Sequence, residues 1–88
     1  MKKLVLPFEL VPDTVFQKLK RAIPSEYRAK KTDDPNKFTL VTYWNEKEIV
    51  VATVTVVDQK FVYEFADDVF SAVWFEDQMK RCYLAREE

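Results

Sequence analysis

Apolar positions along this chain repeat with two different periods, and each change of period marks a new element. In PDTVFQKLKRAIP, Val15, Leu19, Ala22 and Ile23 recur at helical spacing. Pro12 and Asp13 suit a helix start, and Pro24 stops it. The opposite side of that helix carries Gln17, Lys18, Lys20 and Arg21. SEYRAKKTDDPN follows and ends in the turn cluster Asp33, Asp34, Pro35 and Asn36, so it reads as a connecting segment and the most mobile part of the chain. Period two then takes over in KFTLVTYW, EIVVATVTVV and FVYEF, three runs rich in Val, Thr, Ile and aromatics. NEK and DQK separate them, loops of about three residues that predict an antiparallel meander.

In the middle run Val50, Ala52, Val54 and Val56 alternate with Ile49, Val51, Thr53, Thr55 and Val57. One face is wholly apolar and the other has a threonine centre, so the helices should cover the first and leave the second open. KKLVLPFEL at the start predicts a short edge strand, because Pro7 cannot donate to a ladder. The reading is one α+β domain over residues 1–88: a three-stranded antiparallel meander with two helices on one face and a possible fourth, N-terminal edge strand, in the order (β)-α-β-β-β-α.

The closing stretch ADDVFSAVWFEDQMKRCYLAREE predicts a second helix. Asp67 and Asp68 precede it, where a carboxylate caps free N–H groups and suits the positive helix end. On a helical wheel Ala72, Phe75, Met79, Cys82 and Tyr83 form a core stripe, which makes Cys82 a buried, inert thiol. A second stripe runs through Phe70, Val73 and Trp74, then Asp77 and Arg81, to Leu84. It is apolar for two turns and charged after that. Either it lies in a groove of its own chain, or a second chain covers Phe70 and Trp74; the expectation here is the second chain.

Composition narrows the chemistry. The chain of 88 residues is 48% hydrophobic and 33% charged, the balance of a globular domain. It has no glycine, where ordinary usage of about 7% would supply about six. Gly-rich phosphate loops and dinucleotide fingerprints are therefore excluded. Histidine is absent too, removing the commonest general base and most zinc sites. A single cysteine gives no internal disulfide, consistent with a cytoplasmic protein, and Pro7, Glu9 and Pro12 break the start before any signal or membrane segment forms. No cofactor or metal is expected. Carboxylate pairs such as Glu64 with Asp67, or Glu76 with Asp77, would need a cleft to act as acid and base. The chain is read as a non-enzyme.

Charge is unevenly spread. Residues 1–37 hold nine Lys or Arg and five Asp or Glu, whereas residues 38–88 hold five and ten. Lys18, Lys20, Arg21, Arg28, Lys30 and Lys31 form a candidate nucleic-acid-binding strip. The α-β-β-β-α order resembles that of double-stranded RNA-binding domains in topology alone, which implies phosphate contacts. That family has a basic cluster at the start of its last helix, where this chain has ADDV and then FED. Carboxylates there repel phosphate, so nucleic acid is the secondary expectation. Phe38, Tyr43, Trp44, Phe61, Tyr63 and Phe65 could stack bases, but alternation sends half of them to the core.

The primary expectation is a small regulatory, accessory or inhibitory protein that binds another protein. Its size and lack of motif also suit a phage or mobile-element product. The acidic-aromatic surface Asp67, Phe70, Val73, Trp74, Asp77 and Arg81 would meet a basic or nucleic-acid-binding partner, or a second copy of the chain.

Overall fold

The computed structural model describes residues 2–66 and 69–87, with the side chains of 69–71 outside that description. Its elements in chain order are β1 Lys2–Val5, α1 Pro12–Ala22, β2 Tyr27–Lys31, β3 Lys37–Trp44, β4 Lys47–Val57, β5 Lys60–Phe65, α2 Val69–Tyr83 and β6 Arg86–Glu87. The fold is α+β: two helices and an open, antiparallel six-stranded sheet in the order β2-β3-β4-β5-β1-β6. Among the described residues no helix is long and apolar enough to cross a membrane.

The meander has four strands rather than three, since the segment expected to be a mobile connection contains β2. Tyr27 to Lys31 pair with Thr42 to Phe38 of β3. Arg28, Lys30 and Lys31 hid the strand, because an edge strand with so few apolar positions shows almost no hydrophobic period. The N-terminal strand exists but is not an edge. It pairs with β5 on one side and with β6 on the other, and Pro7 lies beyond its last residue. These strands also dissolve the likeness in topology to double-stranded RNA-binding domains, because the order is β-α-β-β-β-β-α-β.

Both meander hairpins beyond β3 close in two residues rather than three. Asn45 and Glu46 have φ of 49° and 63°, and Asp58 and Gln59 have 48° and 64°. Positive φ at both positions is the type I′ turn, whose twist matches that of the flanking strands. Asn and Asp tolerate this region at the first position. Glu46 and Gln59 stand where glycine is usual, at a cost of about 1–2 kcal/mol each.

The core lies between the helices and one sheet face. Phe38 and Leu40 of β3, Ala52, Val54 and Val56 of β4, Phe61 and Tyr63 of β5, and Leu4 of β1 all point into it. From α1, Val15, Phe16 and Leu19 are buried, with Phe16 edge-on to Phe38 at 5.8 Å between ring centres. From α2, Phe75 meets Tyr63 at 4.8 Å, Phe65 at 5.6 Å and Phe61 at 6.2 Å. Tilted and edge-to-face pairs of this kind add about 0.5–1.5 kcal/mol each beyond the area they bury. The Tyr63 hydroxyl donates to Glu76, which Lys2 of β1 also bridges at 3.0 Å. At the end of α2 Leu84 turns left-handed with φ of 53°, and the Ala85 N–H donates to the Met79 carbonyl at 3.4 Å. That reversal returns the chain to pair β6 with β1.

Two expectations about faces need correction. Cys82 is exposed, its thiol 3.7 Å from the Gln78 side-chain oxygen. It lies about 60° around the helix from Met79, the middle of the stripe Phe75, Met79 and Tyr83, and so falls at the stripe's edge. Val50 leaves the apolar face. The β3–β4 register runs Leu40↔Ala52 and then Val41↔Val50, so Val51 is an extra residue and the alternation flips there. The open face thus acquires Val41, Val50 and Val51 beside its threonines. Val41 and Val51 are buried there, outside the main core.

Candidate functional site

The end of the β3–β4 hairpin stands clear of the rest of the sheet. β4 has eleven residues and β5 six, and β5 pairs only with Ala52 to Val57. The first half of β4 therefore projects beyond β5. On this end Trp44 is 69% exposed, Val50 50%, Tyr43 49% and Ile49 44%. The hairpin register places Trp44 and Ile49 on the helix-side face, and Tyr43 and Val50 on the open face. Apolar groups thus cover both sides of one projecting ribbon, near the two-residue turn that fixes it.

A polar lattice ties the same end to β2. Lys30 bridges Glu48 at 2.7 Å, reaching from β2 to β4 across β3. The Tyr43 hydroxyl donates to the same carboxylate at 3.1 Å, and the Arg28 guanidinium lies 5.7 Å from the Tyr43 ring centre. Val41 sits between these groups in the register and is fully buried. The hydrogen bond from Lys30, with a smaller one from Tyr43, holds Glu48 below the ordinary carboxylate value. Glu48 in turn raises Lys30. The lattice fixes Tyr43 on an otherwise free strand end.

The sequence-derived residues divide. Asp67 and the side chain of Phe70 lie outside the described residues. Val73 is 61% exposed. Trp74 is half-buried and packs against the core, so the chain itself covers part of a side chain that the wheel assigned to a second chain. Asp77 and Arg81 bridge each other at 3.2 Å, one turn apart on α2.

The six-residue basic strip is not one surface. Arg28 and Lys30 face the open side, whereas Lys31 faces the helices, 2.9 Å from Asp13 and 5.2 Å from the Phe16 ring centre. Lys18 lies 5.2 Å from the Tyr83 ring centre on the helix side, with Lys20 and Arg21 exposed in the last turn of α1. The reason is β2 itself, since a strand sends successive side chains to opposite faces.

Two cavities accompany these surfaces. One of about 220 Å³ opens between α1 and the turn before β3, among Phe16, Phe38, Lys31, Asp13 and Pro35. The other, of about 160 Å³, lies at the corner where β5 leaves β4, walled by Val50, Val51, Thr53, Glu64, Phe65 and Ala66. Among the described residues no three His, Cys, Asp or Glu side chains gather as metal ligands.

Sequence reasoning weighed Tyr43 and Trp44 only as base-stacking aromatics and passed over Ile49 and Val50. The usable signal was length: the middle run of Val and Thr is far longer than FVYEF, so one of its ends has no partner strand. Comparison with known proteins adds no relative: no family profile, curated protein or solved structure matches the chain.

Proposed function

We propose that this protein is a non-enzymatic binding module, a small accessory or inhibitory protein that engages another protein through the end of its β3–β4 hairpin. The observation that carries the reading is Trp44, 69% exposed on a projecting hairpin with Ile49 on the same face. Leaving each of these in water forgoes roughly 1.5–3 kcal/mol of burial. Aromatic anchors beside aliphatic groups and rim charges are what protein interfaces use. The α2 surface is the weaker candidate, because among the described residues its Trp74 packs against the core and its strongly exposed apolar groups, Val73 and Leu84, stand at opposite ends of the stripe. Division of the basic residues between two faces counts against a nucleic-acid groove.

The test is quantitative capture from the native host with wild type, Trp44→Ala and Val73→Ser proteins. The reading expects a partner that Val73→Ser retains and Trp44→Ala loses. A partner retained by Trp44→Ala and lost by Val73→Ser would move the site to α2.

A further inference from the structure

The projecting half of β4 exposes a strand edge as well as side chains. Lys47 to Val50 pair with β3 on one side. On the other side the β5 ladder ends at Ala52↔Phe65, followed by one hydrogen bond from the Ala66 N–H to the Val51 carbonyl at 2.8 Å. By Val69 the chain is already helical. Among the described residues nothing pairs with Lys47 to Val50 on that side. The open edge is about 13 Å long at strand spacing, and the 160 Å³ cleft marks its inner end.

Its backbone is set up to receive a strand. In a two-residue hairpin the closing pair Trp44↔Lys47 exchanges hydrogen bonds, so the next pair, Tyr43↔Glu48, turns its N–H and C=O groups outward. Glu48 thus turns a donor and an acceptor to the edge, with no partner for either among the described residues. Natural sheets blunt such edges with proline, charged side chains or a covering segment. This one is charged at its outer end, Lys47 and Glu48, and apolar at its inner end, where Ile49 and Val50 are each about half exposed.

A second copy of the chain fits poorly. Two-fold pairing about Glu48 would set two carboxylates opposite each other, which is destabilising. Pairing about Ile49 would bring Lys47 of one copy against Val51 of the other, whose carbonyl already accepts from Ala66. A foreign strand meets neither obstacle. On the open face it would lie beside Glu48, whose Oε2 takes the bonds from Lys30 and Tyr43 and leaves Oε1 for a second cation, and in line with Glu64, an exposed carboxylate on that face of β5. On the helix-side face it would lie beside Ile49 and Phe65. The chemistry asks for apolar residues alternating with Lys or Arg.

We infer that the open edge of β4, residues 47–50, accepts an extended segment of a basic partner protein by strand addition, its apolar side chains beside Ile49 and its cations toward Glu48 and Glu64. This rests on the hairpin-end reading and names the partner's chemistry. Main-chain bonds would supply affinity and alternate side chains specificity.

The probe is an end-blocked peptide of alternating valine and lysine, about six residues long, titrated against the whole protein while backbone amide signals are followed. The expected result is saturable binding with the largest shifts at residues 47–50. Replacing the lysines by glutamate, or methylating the peptide backbone nitrogens, should weaken it about tenfold or more. Glu48→Pro should weaken it about tenfold beyond Glu48→Ala, because both lose the carboxylate and only proline loses the N–H. Far-ultraviolet circular dichroism checks that both variants fold. Equal binding of the glutamate or methylated peptide, shifts centred on α2, no saturable binding, or a protein dimer that excludes the peptide would each overturn strand addition. A host partner lost with Trp44→Ala but unaffected by Glu48→Pro would refute this inference while leaving the hairpin reading intact.

Discussion

The outer surface of α2 and the end of the β3–β4 hairpin each present an apolar group beside charges, yet the fold treats them differently. On α2 the large aromatic turns back: Trp74 packs against the core, Asp77 and Arg81 bridge each other, and the exposed Val73 and Leu84 are left apart at the two ends of the stripe. On the hairpin the aromatic turns away. Trp44 stands exposed on a projecting strand end, and its neighbours Ile49, Tyr43 and Val50 are exposed with it. Isolated surface apolar groups are ordinary, whereas exposed apolar pairs on both faces of one projecting element are the kind of surface proteins use for contact. Spacing within one helix therefore says less about an interface than where an element outruns its neighbours.

Stability measurements give the largest separation between the two regions. Phe75→Ala, which empties the aromatic cluster under α2, should cost about 3–5 kcal/mol in chemical denaturation. Trp74→Ala should cost about 1.5–3 kcal/mol, since part of that ring covers the core. Trp44→Ala should change stability by less than about 0.5 kcal/mol. A Trp44 cost as large as that of Trp74 would mean the hairpin end is part of the folding core and would erase the contrast.

The hairpin turns predict the next effect. Gln59→Gly and Glu46→Gly relieve left-handed strain at residues with φ of 64° and 63°. Each should raise stability by about 0.5–1 kcal/mol after the entropy that glycine adds to the unfolded chain. Thermal melts check this. If the Glu46 turn alone fails to respond, the end of the projecting hairpin is not held in the type I′ form.

Acid titration is the smallest test. The Tyr63 hydrogen bond, followed by the bond and charge of Lys2, holds Glu76 below its ordinary value of 4.5. A carboxyl group with a depressed folded value contributes its full stabilisation above the unfolded value and loses it as pH falls through the folded one. Melting temperature should therefore fall between about pH 5 and pH 3, and less steeply in Glu76→Gln. Glu48 is depressed in the same direction but lies on the surface, so Glu48→Gln should flatten the acid limb only at low salt. An acid limb unchanged by Glu76→Gln would mean that its bond to Tyr63 contributes nothing.

Much of this fold can be read in the sequence. The limits of α1 follow from Pro12 and Pro24, and the three central strands lie within one residue of the Val, Thr and aromatic runs. β2 was illegible because YRAKK has only Ala29 as a clear apolar mark, and β6 because two residues carry no period. The flip at Val51 was hidden for a different reason. Val50 and Val51 are both valine, so a bulge there leaves the hydrophobic pattern unbroken. The proposed contact surface was missed with it, since exposure of Ile49 and Val50 depends on β5 ending at Phe65, a relation between strands that periodicity within one strand cannot show. Cys82 was misplaced for want of one angle, being close to the core stripe yet beyond its edge.

The most direct test of the central claim is amide hydrogen exchange on the complex with the captured partner, compared with the free protein. The hairpin reading predicts slowed exchange concentrated at residues 43–50, with α2 residues 73–81 unchanged. Slowing confined to residues 73–81, with exchange at 43–50 as fast as in the free protein, would contradict it.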